Sequence, residues 1–181
     1  ASGGLSLSDE HRDALASALA FDETCSGLSC RLFSLMTIAE NHRGFALAGS
    51  TDTHAEHVYN VVNGSNIDKD GNSDGQNPAS NTIAIADGVD ENPGYGAQIR
   101  TLAADIAENG PSDGLSTARI GIYSELSQCA TNLENAAQGV LDAVNALVVD
   151  ATNEGLQDQF STAVDALRGE TYSAAAVEAE S

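Results

Sequence analysis

Residues 116–151 read STARIGIYSELSQCATNLENAAQGVLDAVNALVVDA, and their spacing decides the fold. Leu126, Ala130, Leu133, Ala137, Val140, Val144, Leu147 and Ala151 follow one another in alternating steps of four and three. At about 3.6 residues per turn these side chains line one stripe of a helix. An apolar stripe of that length must be covered by other helices. Small and large residues alternate along it, so a neighbouring helix can approach closely. The stretch predicts one long helix from about Ser116 to Ala151, set in an all-α protein.

Working outward, the segment from Glu154 to Arg168 carries Leu156, Phe160, Ala163 and Leu167 at helical spacing, and Gly169 is expected to end it. The tail 170–181 is rich in Ala and Glu with little to bury, and is read as disordered or held by a partner subunit. Upstream, a helix is expected from Tyr95 to Glu108, with Ile99, Leu102 and Ile106 inward and Asn109-Gly110-Pro111 stopping it. Leu28, Leu32, Leu35, Ala39, His42 and Ala46 mark another, breaking near Gly44 or Gly49. A helix from Asp52 to Val62 should stop at Asn63-Gly64. Ser8, followed by Asp9 and Glu10, opens a first helix running to Phe21, with acids where the helix dipole favours them. The sum is a single domain over 1–181, an antiparallel four- to five-helix bundle with a long irregular Asp/Gly-rich loop at 64–94. Within that loop Thr82–Ala86 is expected as a short strand or a turn of helix. Irregular segments this long are usually functional or organised by an ion.

Seven basic residues against 27 acidic ones give a net charge of −20 over 181 residues. Such a surface repels nucleic acid and anionic membrane and favours cations as partners. It suits a high-salt (halophilic or marine) medium, a cationic ligand or a secreted setting. No apolar run approaches the roughly 20 residues of a membrane span. The start at Ala1-Ser2-Gly3-Gly4 reads either as a product of signal removal, which points to an extracytoplasmic or secreted protein, or as a cloning scar. Of the three cysteines, Cys25 and Cys30 can close a loop through Gly27, either can bridge to Cys129, or all three can be buried thiols. An aliphatic, alanine-rich core with no Trp implies modest stability without an ion, a disulfide or assembly.

The most distinctive chemistry lies at Asp68-Lys69-Asp70-Gly71-Asn72-Ser73-Asp74-Gly75. Oxygen-bearing side chains stand at every second position, and hard cations such as Ca²⁺ take six to eight oxygen ligands. Asp68, Asp70, Asn72 and Asp74 are therefore the candidate Ca²⁺ ligands. The loop is not a full EF-hand. Counted from Asp68, Ser73 stands where glycine is expected and Ala79 where a bidentate Glu belongs. Asp87, Asp90 and Glu91 are the nearest carboxylates to complete it. The same composition also makes a plain solvated turn.

The chain has four histidines, His11, His42, His54 and His57. His42 occupies an inward position, His54 aligns with Val58 and Val61, His57 lies one turn from His54, and His11 shares a face with Leu15 and Ala18. Bundle cores build metal sites from such residues on facing helices, so the four form an alternative transition-metal or haem cluster, with Glu40 and Glu56 as nearby carboxylates. Met36 is the sole methionine, the one candidate for a His/Met haem pair. The competing reading is hydrogen-bonded packing. Neither the His-Glu-x-x-His zinc-protease arrangement nor a pair of di-iron Glu-x-x-His motifs is present.

The run His54-Ala55-Glu56-His57-Val58-Tyr59-Asn60-Val61-Val62-Asn63-Gly64, continued by Asp68 to Gly75 and Gln76-Asn77-Pro78, resembles a pattern in uncharacterised secreted bacterial helical proteins. There a His-x-Glu-His helix runs into an Asp/Gly-rich loop and an Asn-Pro-Gly turn; here Asn92-Pro93-Gly94 supplies a second such turn. The resemblance brings no established activity. It implies that His54, His57 and the Asp68 loop form one functional unit.

No recognisable triad order, dinucleotide fingerprint or Walker loop appears, and enzyme function is not expected. The favoured expectation is a non-enzymatic, extracytoplasmic, Ca²⁺-stabilised subunit that self-associates in a filament, surface layer or virion. The alternative is a bundle whose histidines hold a transition metal or haem. A small-ligand sensor is the third class, with no residue assigned to it.

Overall fold

The structure is a computed structural model that describes residues 28–85, 88–89, 92–112 and 114–180. The expected helix at 8–21, with His11 and Cys25, lies outside the described residues, as do Asp87, Asp90 and Glu91. Five helices are described: α1 (Leu28–Ala48), α2 (Thr51–Asn63), α3 (Tyr95–Asn109), α4 (Thr117–Leu147) and α5 (Glu154–Glu180). Two residue pairs, β1 (Gly88–Val89) and β2 (Asn92–Pro93), form a minimal antiparallel ladder in the loop before α3.

Helix α4 is the centre of the bundle, packed against α3 and α5 most extensively and against α2 beside them. Its seam residues Leu126, Ala130, Leu133, Ala137, Val140, Val144 and Leu147 are all buried. Ser116 caps it by accepting from Arg119 N–H. The helix ends at Leu147, four residues before Ala151, because Asp150 and Asn153 organise a turn in which Asn153 Oδ1 accepts the Leu156 N–H at the start of α5.

Cross-helix contacts fix the directions. Phe33 stacks near Tyr172, Glu40 pairs with Arg168, and Arg43 pairs with Asp165, so α1 and α5 run antiparallel. Arg100 grips Glu134 through two nitrogens, and Ile106 meets Tyr123, so α3 and α4 do too. One apolar cluster takes Leu32 and Leu35 from α1, Val58 and Val61 from α2, Ile99 from α3, Leu133 and Val140 from α4, and Phe160 and Leu167 from α5. The all-α antiparallel bundle read from the sequence is the architecture observed.

Two expectations need correction. Helix α5 does not stop at Gly169 but continues to Glu180. A glycine inside a helix costs about 1 kcal/mol relative to alanine. The added turns offset that cost by burying Thr171 and Ala174 and by stacking Tyr172 near Phe33. The segment Thr82–Ile85 is neither strand nor helix. It is an extended connection whose Ile85 N–H donates to Val62 O, while Ala84 O and Ile85 O accept from Tyr95 and Gly96. That clasp needs glycine at 64, which ends α2 at φ 64°; a Cβ there would lie 2.7 Å from Ile83 C. Of the two alternative positions for the break after α1, Gly44 is passed over and the helix ends at Ala48, next to Gly49.

Cys30 is disulfide-bonded and Cys129 is a free, half-buried thiol. A bridge to Cys129 and a set of three thiols are both excluded. Burial, with Glu125 and Glu170 nearby, pushes the Cys129 thiol above its usual pKa.

Candidate metal centre

The turn at Gly49-Ser50 is short enough that α2 folds straight back along α1. Residues three apart on a helix share a face. His54 and His57 therefore meet His42 together across the α1–α2 interface. His42 Nδ1 lies 3.2 Å from His54 Nδ1 and 3.1 Å from His57 Nδ1. One ring nitrogen from each histidine falls within 4.8 Å of the other two. Phe45 stands edge-on to His42 and tilted against His54, covering the outer side while remaining 53 % exposed itself.

The arrangement poses a bonding problem. A neutral imidazole nitrogen carries one proton or one lone pair. His42 Nδ1 faces two others, and a single proton cannot bind all three nitrogens at once. A cation accepting three lone pairs can. Four-coordinate Zn²⁺ with Zn–N near 2.0–2.1 Å holds adjacent nitrogens about 3.3 Å apart, close to the separations found here. Burial first, then the neighbouring His57 and His54, lower the His42 pKa from 6.5 to about 4. Burial and His57 lower that of His54. At neutral pH both rings are then unprotonated, the form that ligates metals. His57 is only 8 % exposed, and its Nε2 has no hydrogen-bond partner. A buried orphan of this kind calls for a specific cause.

A second cluster occupies a different face of the same helix. Glu56, adjacent to His57 but about 100° round the axis, is completely buried. Its Oε2 accepts the backbone N–H of Lys69 and of Asp70 (3.1 Å for the latter), while Oε1 has no partner. Carboxylate oxygens of Glu56, Asp68 and Asp70 lie within 4.8 Å of one another. The loop around them is held by Asn60, also fully buried. Its amide donates to Ile67 O and Gln76 O, and its carbonyl accepts from Ser65 Oγ and Ile67 N–H. Asp68 accepts from Gly71 and Ser73 N–H, and Asp70 from Asn72 N–H and Thr53 Oγ1.

Of the histidines read from the sequence, His42, His54 and His57 converge; His11 lies outside the described residues. Of the loop residues, Asp68 and Asp70 join the acidic cluster. Asn72 Oδ1 accepts the Asp74 N–H, and Asp74 is exposed and outside the cluster. Glu40 pairs with Arg168 rather than supporting the histidines, and Glu56 serves the loop instead of them. Met36 is buried in the apolar core. Sequence reasoning missed Asn60 as the loop anchor. Its signal was an Asn at an inward position of α2, among Val58, Val61 and Val62.

A cavity of about 500 Å³ between Leu28, Pro93, Ala97, Thr101 and Leu102 shares no residue with either cluster. No helix among the described residues is long and apolar enough to cross a membrane. Fold and site define an acidic helical bundle with two candidate ligand clusters that share one short helix, α2. The chain matches no protein family, no curated protein and no solved structure.

Proposed function

We propose that this protein is a metal-binding bundle that takes up a borderline d-block cation, with Zn²⁺ as the reference ion, through His42, His54 and His57. The observation that carries the reading is the convergence of three imidazole Nδ1 atoms at 3.1 and 3.2 Å around His42. Separations this short suit an ion held by three nitrogens rather than a porphyrin plane between two axial ligands. The proposed role is capture or transfer of the ion. The disulfide at Cys30 supports an oxidising, extracytoplasmic setting. The net charge of −20 supports accumulation of cations near the surface.

The assembling, Ca²⁺-stabilised subunit is a second reading, motivated by the long heptad stripe of α4, the polar tail and the small-residue seams. Every seam residue from Leu126 to Leu147 is buried within this chain, so the stripe itself calls for no second copy.

Titration of the full chain with Co²⁺, which reports tetrahedral nitrogen ligation in its visible spectrum, tests the proposal. One equivalent should bind and be displaced by Zn²⁺. His42→Ala and His54→Ala should each weaken binding about 100-fold or more, at the upper end of the losses seen when even outer partners are removed. Unchanged stoichiometry and affinity in both variants would rule the site out.

A further inference from the structure

We infer that Glu56, Asp68 and Asp70 form a separate site for a hard divalent cation, Ca²⁺ by chemistry, in which the buried Glu56 is the central ligand. The inference does not rest on the histidine site. It starts from the bare Oε1 of Glu56. That oxygen is fully buried, belongs to a carboxylate and receives no hydrogen bond, whereas its sister Oε2 receives two. Burying a carboxylate oxygen with nothing to compensate it is costly, and a protein tolerates this where a cation completes the site.

The surroundings agree in charge and in size. Three carboxylates meet with their oxygens within 4.8 Å. Oxygens on opposite sides of Ca²⁺, at 2.3–2.6 Å each, stand about 4.8 Å apart, so one ion can touch all three. The nearest cation does not neutralise them. Lys69 Nζ instead donates to Asn145 Oδ1 and lies 4.1 Å over the Tyr59 ring. Among the described residues, no ion pair reaches Glu56, Asp68 or Asp70. Backbone N–H groups already orient Asp68 and Asp70, so the loop is set before any ion arrives.

The site differs from the simple alternating loop in its ligand set. Glu56 comes from the helix before the loop and offers one free oxygen, Oε1, where the terminal Glu of an EF-hand offers two. Asp74 is not part of it.

The test is calorimetric titration of the full chain with CaCl₂ in excess monovalent salt, which suppresses loose binding to the acidic surface. A single Ca²⁺ should bind and raise Tm as a native-state ligand does. Glu56→Gln, nearly isosteric, should weaken that binding by about tenfold or more, and so should Asp68→Asn at an exposed position. Zn²⁺ uptake should stay as in the unmodified chain in Asp68→Asn. Circular dichroism reports whether Glu56→Gln folds; if it does not, Asp68→Asn alone decides. No saturable Ca²⁺ binding, or affinity unchanged in the folded variants, would overturn the inference.

Discussion

Along α4 the buried residues are Tyr123, Leu126, Ala130, Leu133, Ala137, Val140, Leu141, Val144 and Leu147, whereas α2 buries Glu56, His57 and Asn60 among its valines. Both helices are deep in the bundle, yet they use depth differently. In α4, burial removes apolar surface from water and supplies stability. In α2, burial fixes polar side chains in position at some cost, because each must find a partner. Stability and ligand chemistry are therefore carried by neighbouring helices in contact with each other, and each can be disturbed separately.

The largest effect should come from α4. Leu133→Ala at a fully buried position should cost about 3 kcal/mol, through lost transfer energy and the cavity left behind. Denaturant unfolding measures the loss, and Co²⁺ affinity of the remaining folded protein should not change. An equal loss of affinity would break the division between the two helices. Next comes Asn60→Ala, which removes four hydrogen bonds to the loop. Leaving those groups unpaired should cost on the order of 2 kcal/mol. Amide exchange at Ile67 should speed up while protection along α4 persists.

The third effect concerns pH. His42 protonates near 6.5 when unfolded and near 4 in the fold, because of burial and its His57 and His54 neighbours. Unfolding takes up a proton between those values, so metal-free stability should decline as pH falls from 6.5 toward 4 and level off below. His54 shifts in the same direction. Tm measured against pH with a chelator present should fall less steeply in His42→Gln than in the unmodified chain. Identical slopes would show that His42 does not contribute.

The long stripe of α4 and the Asn63-Gly64 stop of α2 were legible because each depends on local spacing or a single backbone conformation. The pairing of His54 with His57 was legible for the same reason. Their meeting with His42 also followed once a bundle was assumed, because all three take inward positions. Glu56 was not legible as a loop ligand. Its neighbours in sequence are histidines, and only the return of the chain at Lys69 and Asp70 shows which face it serves. Gly169 misled in the opposite direction. Its local preference for a stop is small beside the burial of Thr171 and Ala174, which depends on where the neighbouring helices lie.

The chain contains one lysine, and that residue is Lys69, between the two aspartates of the acidic cluster. A lysine-specific protease consequently has a single cleavage point in these 181 residues, inside the loop that Glu56 and Asn60 hold down. Its side chain is occupied by Asn145 and Tyr59, and its backbone N–H by Glu56. One nick would divide the polypeptide into two fragments of predictable mass, and the rate of nicking would follow how often this loop lifts from α2. The protein thus carries its own clock for the opening of that segment, readable on a gel without label or mutation.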